Sequence, residues 1–246
     1  MKRTTILFCV FLVLIPVAGY SIDSLDVYGG LLWIGNPTYA PASPDGLPTG
    51  APSPILNTWS VSLPLRMGRI FRLVPEIGLF GTQYGLIPGY DKTVPVEREY
   101  ADAVWFLGAM VDLDLWMNIP LGQRLDLGIQ AGATFLGRIP VQGWGDGWDQ
   151  LDEMNSYFFA QARYLYPEVG ITFGWRPEGF DRLGVTVKAM TYLPIFHLWD
   201  NEEVGFADQF MASVSIGLRF FSAPRQTAVE VGGATDGSGD SGGQSS

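Results

Sequence analysis

The side chains able to do chemistry in this sequence are mainly charged ones set inside apolar runs. Glu76, Asp112, Asp114, Asp126 and Glu168 stand in such runs, as does Asp26. So do the bases Arg72, Arg124, Lys188, Arg176 and Arg219. Six acids and five bases in these positions read first as an ion-paired plug, because a buried charge persists only when paired. Carboxylates that outnumber their cations would alternatively bind a cation or share a proton. A second group, Asp146, Asp149, Asp152 and Glu153, is a candidate cation-binding loop, since hard cations favour several carboxylates. Its spacing is not that of an EF-hand, and a solvated acidic loop is the simpler reading. No Gly-rich phosphate loop, Cys/His metal spacing or dinucleotide fingerprint occurs. Catalytic residues, cofactors and resident metals are therefore not expected.

The elements that would position these charges show a period of two, the period of a β-strand. Leu25, Val27, Gly29, Leu31 and Trp33 alternate with Asp26, Tyr28 and Gly30. Seven further segments follow. Trp59, Val61, Leu63 and Leu65 oppose Ser60 and Ser62; Phe71, Leu73, Ile77 and Leu79 oppose Arg72, Glu76 and Gly78. Val111, Leu113, Leu115 and Met117 oppose Asp112 and Asp114, and the run from Leu125 to Phe135 opposes Arg124, Asp126 and Gln130. Val169, Ile171, Phe173 and Trp175 oppose Glu168, Thr172 and Arg176; Leu183, Val185, Val187 and Ala189 oppose Thr186 and Lys188. The last segment sets Phe210 to Phe220, even positions, against Gln209, Ser213, Ser215, Gly217 and Arg219. A one-residue slip would exchange the faces and put Asp112, Asp126 and Lys188 on the apolar side.

Alternation does not say which face is outside, but composition does. Only 16% of residues are charged, and after Lys2 the only lysines are Lys92 and Lys188, whereas a water-facing exterior is rich in lysine. The polar face is built of small residues, as a narrow interior requires. Trp33, Trp59, Phe71, Trp105, Trp116, Trp175 and Phe220 are placed near strand ends, where interfacial aromatics belong. Short connections at 66–70, 118–122 and 177–182 alternate with long ones at 36–58, 84–102, 138–156 and 197–208. The expected fold is all-β, an eight-stranded antiparallel up-and-down transmembrane barrel over residues 21–221, with ten strands as the second choice. The long connections carry 13 acids and three bases, Lys92, Arg98 and Arg138, and so form acidic surface-exposed loops.

Lys2 and Arg3, an apolar stretch at 6–15 and Val17-Ala18-Gly19 read as a signal peptide over residues 1–20. Its removal would take the only cysteine, Cys9, and leave 13 basic against 25 acidic residues, a net charge of −12. That balance argues against a nucleic-acid partner. Residues 222–246, rich in Gly and Ser, read as a flexible periplasmic tail.

The export signal, the eight amphipathic segments and the aromatic ending Leu218-Arg219-Phe220-Phe221 together resemble the small outer-membrane β-barrel proteins of the OmpA-membrane-domain and OmpW-like type. Here the aromatic ending is followed by 25 more residues. The resemblance implies the outer membrane of a diderm bacterium, contact with outer-membrane lipid, and recognition by the barrel-assembly machinery during biogenesis. With an even strand number both termini lie in the periplasm. The implied function is a structural or surface-interaction role, non-enzymatic, with an extracellular or periplasmic protein partner. A narrow, porin-like channel for small or hydrophobic solutes is the alternative. A lipid-modifying enzyme is the third reading: lipid A deacylases look superficially similar, but where they carry Ser two residues after a late His, this chain has Trp199 after His197.

Overall fold

The computed structural model describes residues 21–36, 53–87, 92–96, 102–199 and 207–222. The expected signal peptide, the tail beyond Ser222, and the loop residues Asp45, Asp91, Glu97, Arg98, Glu99, Asp200, Glu202 and Glu203 lie outside them.

Eight long antiparallel strands close on themselves. In chain order the elements are β1 (Ser21–Ile22), β2 (Ser24–Ile34), β3 (Ile55–Ser62), β4 (Leu65–Arg66), β5 (Phe71–Ile87), β6 (Lys92–Pro95), β7 (Val104–Pro120), β8 (Leu125–Gly143), α1 (Leu151–Phe159), β9 (Leu165–Trp175), β10 (Leu183–Tyr192) and β11 (Met211–Phe221). Each barrel strand pairs with its sequence neighbours, and β11 seals the cylinder against β2, from Met211 opposite Ile34 to Phe221 opposite Ser24. The strand number is eight, not ten. β4 continues the wall after β3, β1 is a short flap paired with β4, and β6 folds back on the far end of β5.

The distribution of side chains is the reverse of that in a water-soluble protein. Ile77, Leu113, Ile171, Val187, Val214 and Ile216 are exposed on the outer wall, while Asp26, Glu76, Asp112, Asp114, Glu168, Lys188 and Arg219 are buried inside. Both described lysines are ion-paired away from that wall, Lys92 to Asp208 and Lys188 to Glu76. The alternating faces follow the sequence reading along nearly every barrel strand.

Along the wall, three placements depart from it: Trp116, Trp59 and Arg138. Leu65 keeps the outer face it was placed on, opposite Leu73, but is fully covered there. The register against β5 runs unchanged past Pro64, with Ser62 opposite Glu76, Leu65 opposite Leu73 and Arg66 opposite Arg72. Trp116 was placed at an outer girdle but points inward, where Gly128 makes room: a Cβ there would fall 1.7 Å from its Nε1. Trp59 is exposed, but it lies across Gly29 in the middle of β2 rather than at a strand end. Arg138, counted among the loop bases, is buried inside the barrel on the far part of β8.

That last shift has a general cause. β5 and β7 run 17 residues each and β8 runs 19, against 10 or 11 for β2, β9, β10 and β11. At about 3.3 Å per residue the shorter set already covers the hydrocarbon thickness. The longer set therefore stands above it as a raised wall, made in part from residues 84–87 and 138–143, which the sequence reading assigned to loops. Beyond it come a 3-10 turn at Gly145–Trp148 and then α1. α1 lies over the barrel mouth and buries Met154, Tyr157 and Phe158 against Tyr84, Val104 and Phe106.

The outer-face assignment makes a direct prediction. Leu113→Arg and Val187→Arg each place a cation in hydrocarbon, a cost of roughly 2–4 kcal/mol at the midplane. Both should lower the folded, heat-modifiable fraction after insertion into liposomes, whereas Ser62→Asn on the lumen face should leave it near wild type.

Candidate functional site: the charged lumen

The interior is stratified along the barrel axis. At the short-turn end is an open vestibule of about 530 Å³, lined by Asp23, Arg66, Arg72, Asn118, Arg124, Asp126 and Arg176 among others. Asp23 receives hydrogen bonds from both Arg66 and Arg72. Burial alone would raise the Asp23 carboxyl, but Arg72 and Arg66 outweigh it and hold the group below the ordinary carboxylate value. Arg176 lies over the Phe221 ring, 3.5 Å from its centroid.

Arg124 was expected inside the lumen. It sits instead on the vestibule rim and pairs with Glu178 at 2.9 Å, both side chains substantially exposed. The reason is its position: it immediately precedes β8, in the turn, and β8 begins one residue later.

Above the vestibule, Arg219 bridges two carboxylates, Asp26 at 2.8 Å and Asp126 at 3.2 Å. Ser24 and Tyr28 donate further hydrogen bonds to Asp26. The Trp116 ring carries the Arg219 guanidinium 4.7 Å from its centroid and that of Arg72 at 5.4 Å. With its amide turned to suit its neighbours, Asn118 donates to Asp126 and accepts from Arg72. Asp126 therefore belongs to this lower tier.

The next tier is the acidic one. Glu76, Asp112, Asp114 and Glu168 are all buried here, and Lys188 is the cation among them. Lys188 donates to Glu76 and lies 4.4 Å from the Tyr28 ring centroid. Strand pairing explains the grouping: Glu76 is opposite Asp112, Asp114 is opposite Gly132, and Gly132 is opposite Glu168. Gly132 provides the space, since a Cβ there would meet Asp114 Oδ1 at 2.2 Å.

Toward the long-loop end the lumen turns apolar. Leu32, Phe80, Met110, Leu136, Met190 and Met211 pack with Tyr166, Tyr192 and Phe196 into a continuous plug. Arg138 stacks on Phe158 of α1 at 4.3 Å and donates to the Tyr84 hydroxyl, fastening the cap to the wall. His197 holds its Nε2 2.8 Å from the Asp208 carbonyl, in the short 3-10 turn Ile195–Leu198.

The candidate cation-binding loop is not assembled. Asp146 lies in the 3-10 turn, Asp149 just after it, and Asp152 and Glu153 in the first turn of α1, all facing solvent. Among the described residues no three His, Cys, Asp or Glu side chains gather as metal ligands.

No family model matches the sequence, and no curated protein matches it. Three solved structures are similar in fold. One is a de novo designed transmembrane β-barrel, 10% identical, covering 81% of this chain and 96% of that one at a TM-score of 0.36. Another is Neisserial surface protein A, 8% identical over 80% of this chain and 96% of that one, TM-score 0.40. The third is Ail, the attachment invasion locus protein of Yersinia pestis, solved with the heparin analogue sucrose octasulfate: 7% identical over 81% and 99%, TM-score 0.38. By its own ladders, closed by β11 against β2, the chain has the architecture of the small eight-stranded outer-membrane β-barrels.

Two measurements probe the tiers. Lys188→Met leaves Glu76 buried without its cation and should cost about 3–5 kcal/mol in urea unfolding, with Glu76→Gln in the same chain restoring part of it. The Asp23 carboxylate, held below its unfolded value of about 3.9, adds stability that is complete above that value and is lost as pH falls through the lowered folded value. Asp23→Asn should therefore be less stable than wild type at neutral pH, and the difference should vanish on acidification.

Proposed function

We propose that the protein is a non-conducting, non-enzymatic barrel of the outer membrane of a diderm bacterium, acting through its surface and its envelope contacts. The carrying observation is the filled lumen. Ion-paired tiers, the plug from Leu32 to Met211 and the α1 cap succeed one another inside a wall whose outer face is apolar. Eight strands leave an interior just wide enough for side chains, so a closed core is what the strand number favours.

The long-loop end faces outward and the short turns face the periplasm, the usual asymmetry of such barrels. Both termini are then periplasmic. Exposed Trp144 and Trp148, beside the acids Asp146 and Asp149 in the chain, and exposed Leu198 and Trp199 in a separate turn supply apolar surface for a protein partner. Aromatic side chains interrupting a polar surface are the groups that anchor such contacts. The outer wall takes outer-membrane lipid, and the barrel-assembly machinery is the partner in biogenesis.

Purified protein in planar bilayers should show no stable unitary conductance; reproducible channels would replace this reading with solute passage. Orientation is checked by single-cysteine labelling in whole cells. Asp149→Cys should react with a membrane-impermeant maleimide in intact cells, and Gln123→Cys only after permeabilisation.

A further inference from the structure

The acidic tier is out of balance, and hydrogen bonding does not restore it. Lys188 answers Glu76 alone. One oxygen of Asp112, one of Asp114 and both of Glu168 are buried with no hydrogen-bond partner. An independent observation points the same way. The hydroxyl of Thr134, a residue with no exposed surface, stands across the ladder from Asp112 and reaches toward the Asp112 and Glu168 carboxyls without a well-aligned hydrogen bond to either. A cavity of about 10 Å³, enough for one water, opens beside Glu76, Asp112 and Lys188.

Three uncompensated negative charges cannot stay in a low-dielectric cylinder. The remaining titratable groups facing the tier are Tyr28 on β2 and Tyr192 on β10, neither of them a cation at neutral pH. β3 and β11 offer only hydroxyls, from Thr58, Ser60, Ser213 and Ser215. Compensation must come from solvent, as a metal cation or as protons. The carboxyl groups do not converge as a ligand set, and the ammonium of Lys188 borders the one cavity a cation would enter.

We propose that Asp112, Asp114 and Glu168 form a proton-binding site, a cluster of carboxylic acids sharing protons among their own oxygens and the Thr134 hydroxyl. Each carboxylate takes one proton from hydronium as the barrel closes: an O–H bond forms on the carboxyl oxygen as one breaks in the hydronium ion, which leaves as water. The acid hydrogens then satisfy the bare oxygens, and Lys188 with Glu76 forms the neutral edge of the cluster. The site stands whether or not the barrel conducts.

Infrared spectroscopy of the folded wild-type protein in liposomes tests this directly. A protonated-carboxyl C=O stretch should be present at neutral pH, shift on exchange into deuterated buffer, and lose one component in each of Asp114→Asn and Glu168→Gln. Urea midpoints should fall as pH rises, because the folded state holds more protons than the unfolded one, and the fall should be shallower in both variants. No such stretch in the wild type at neutral pH overturns the proposal. So does a stability set by sodium or magnesium at constant ionic strength instead of by pH. The wild-type spectrum decides the matter even where a variant does not fold.

Discussion

The constraint behind every feature of this molecule is that a β-strand sends successive side chains to opposite sides, and one of those sides is an apolar wall. Whatever polar chemistry the chain carries through the barrel has to fit within a cylinder eight strands around. The sheet meets its own backbone requirement by closing, β11 on β2, so no ladder edge is left open around the barrel. The side chains must then balance their charges with one another, since hydrocarbon offers nothing to pair with. That is why Arg219 takes two carboxylates and why Arg66 and Arg72 converge on Asp23.

Steric limits act together with the electrostatic ones. A narrow lumen cannot hold a large side chain at every inward position, and glycines mark the places where one is admitted. Gly128 gives way to Trp116, Gly132 to Asp114, and Gly174 to Asp126. The ring of Trp116 then becomes the surface on which two guanidiniums rest. The alternation of small and large residues along β8 is thus part of how the charged tiers are spaced.

The facing of the strands was legible from sequence because it needs only the period of two. Asp112 and Asp114 against Leu113 and Leu115 admit one reading once the apolar side is taken as outside. Pairings across the lumen were not legible. Lys188 meets Glu76 from 112 positions away and Arg219 meets Asp126 from 93, and which opposite walls face each other depends on strand stagger, which alternation does not encode. Arg138 misled because the alternation on β8 continues past the membrane thickness. The cap was readable in principle: Leu151, Met154 and Phe158 recur at helical spacing with Asp152 and Glu153 at the N-terminal end, where acids favour a helix. A period of two on both sides hid a short period of 3.6.

The order of the tiers follows from what lies beyond each end of the barrel. The turn end opens on a vestibule, so guanidiniums there keep some contact with water, and paired charges of this kind cost least to hold. The loop end is closed by α1, where an unpaired charge would meet neither water nor counter-charge, and the sequence supplies leucine, methionine and aromatic residues instead. Charges held at this end fit the same rule: Arg138 lies on the faces of Phe158 and Tyr84 and gives a hydrogen bond to a hydroxyl, Arg163 lies on Tyr157 and Phe196, and Lys92 is paired with Asp208. Between these ends lies the level where Glu76, Asp112, Asp114 and Glu168 share Lys188 and a cavity the size of one water. There the excess of carboxyl groups over ammonium has to be met by the smallest positive particle that can reach it.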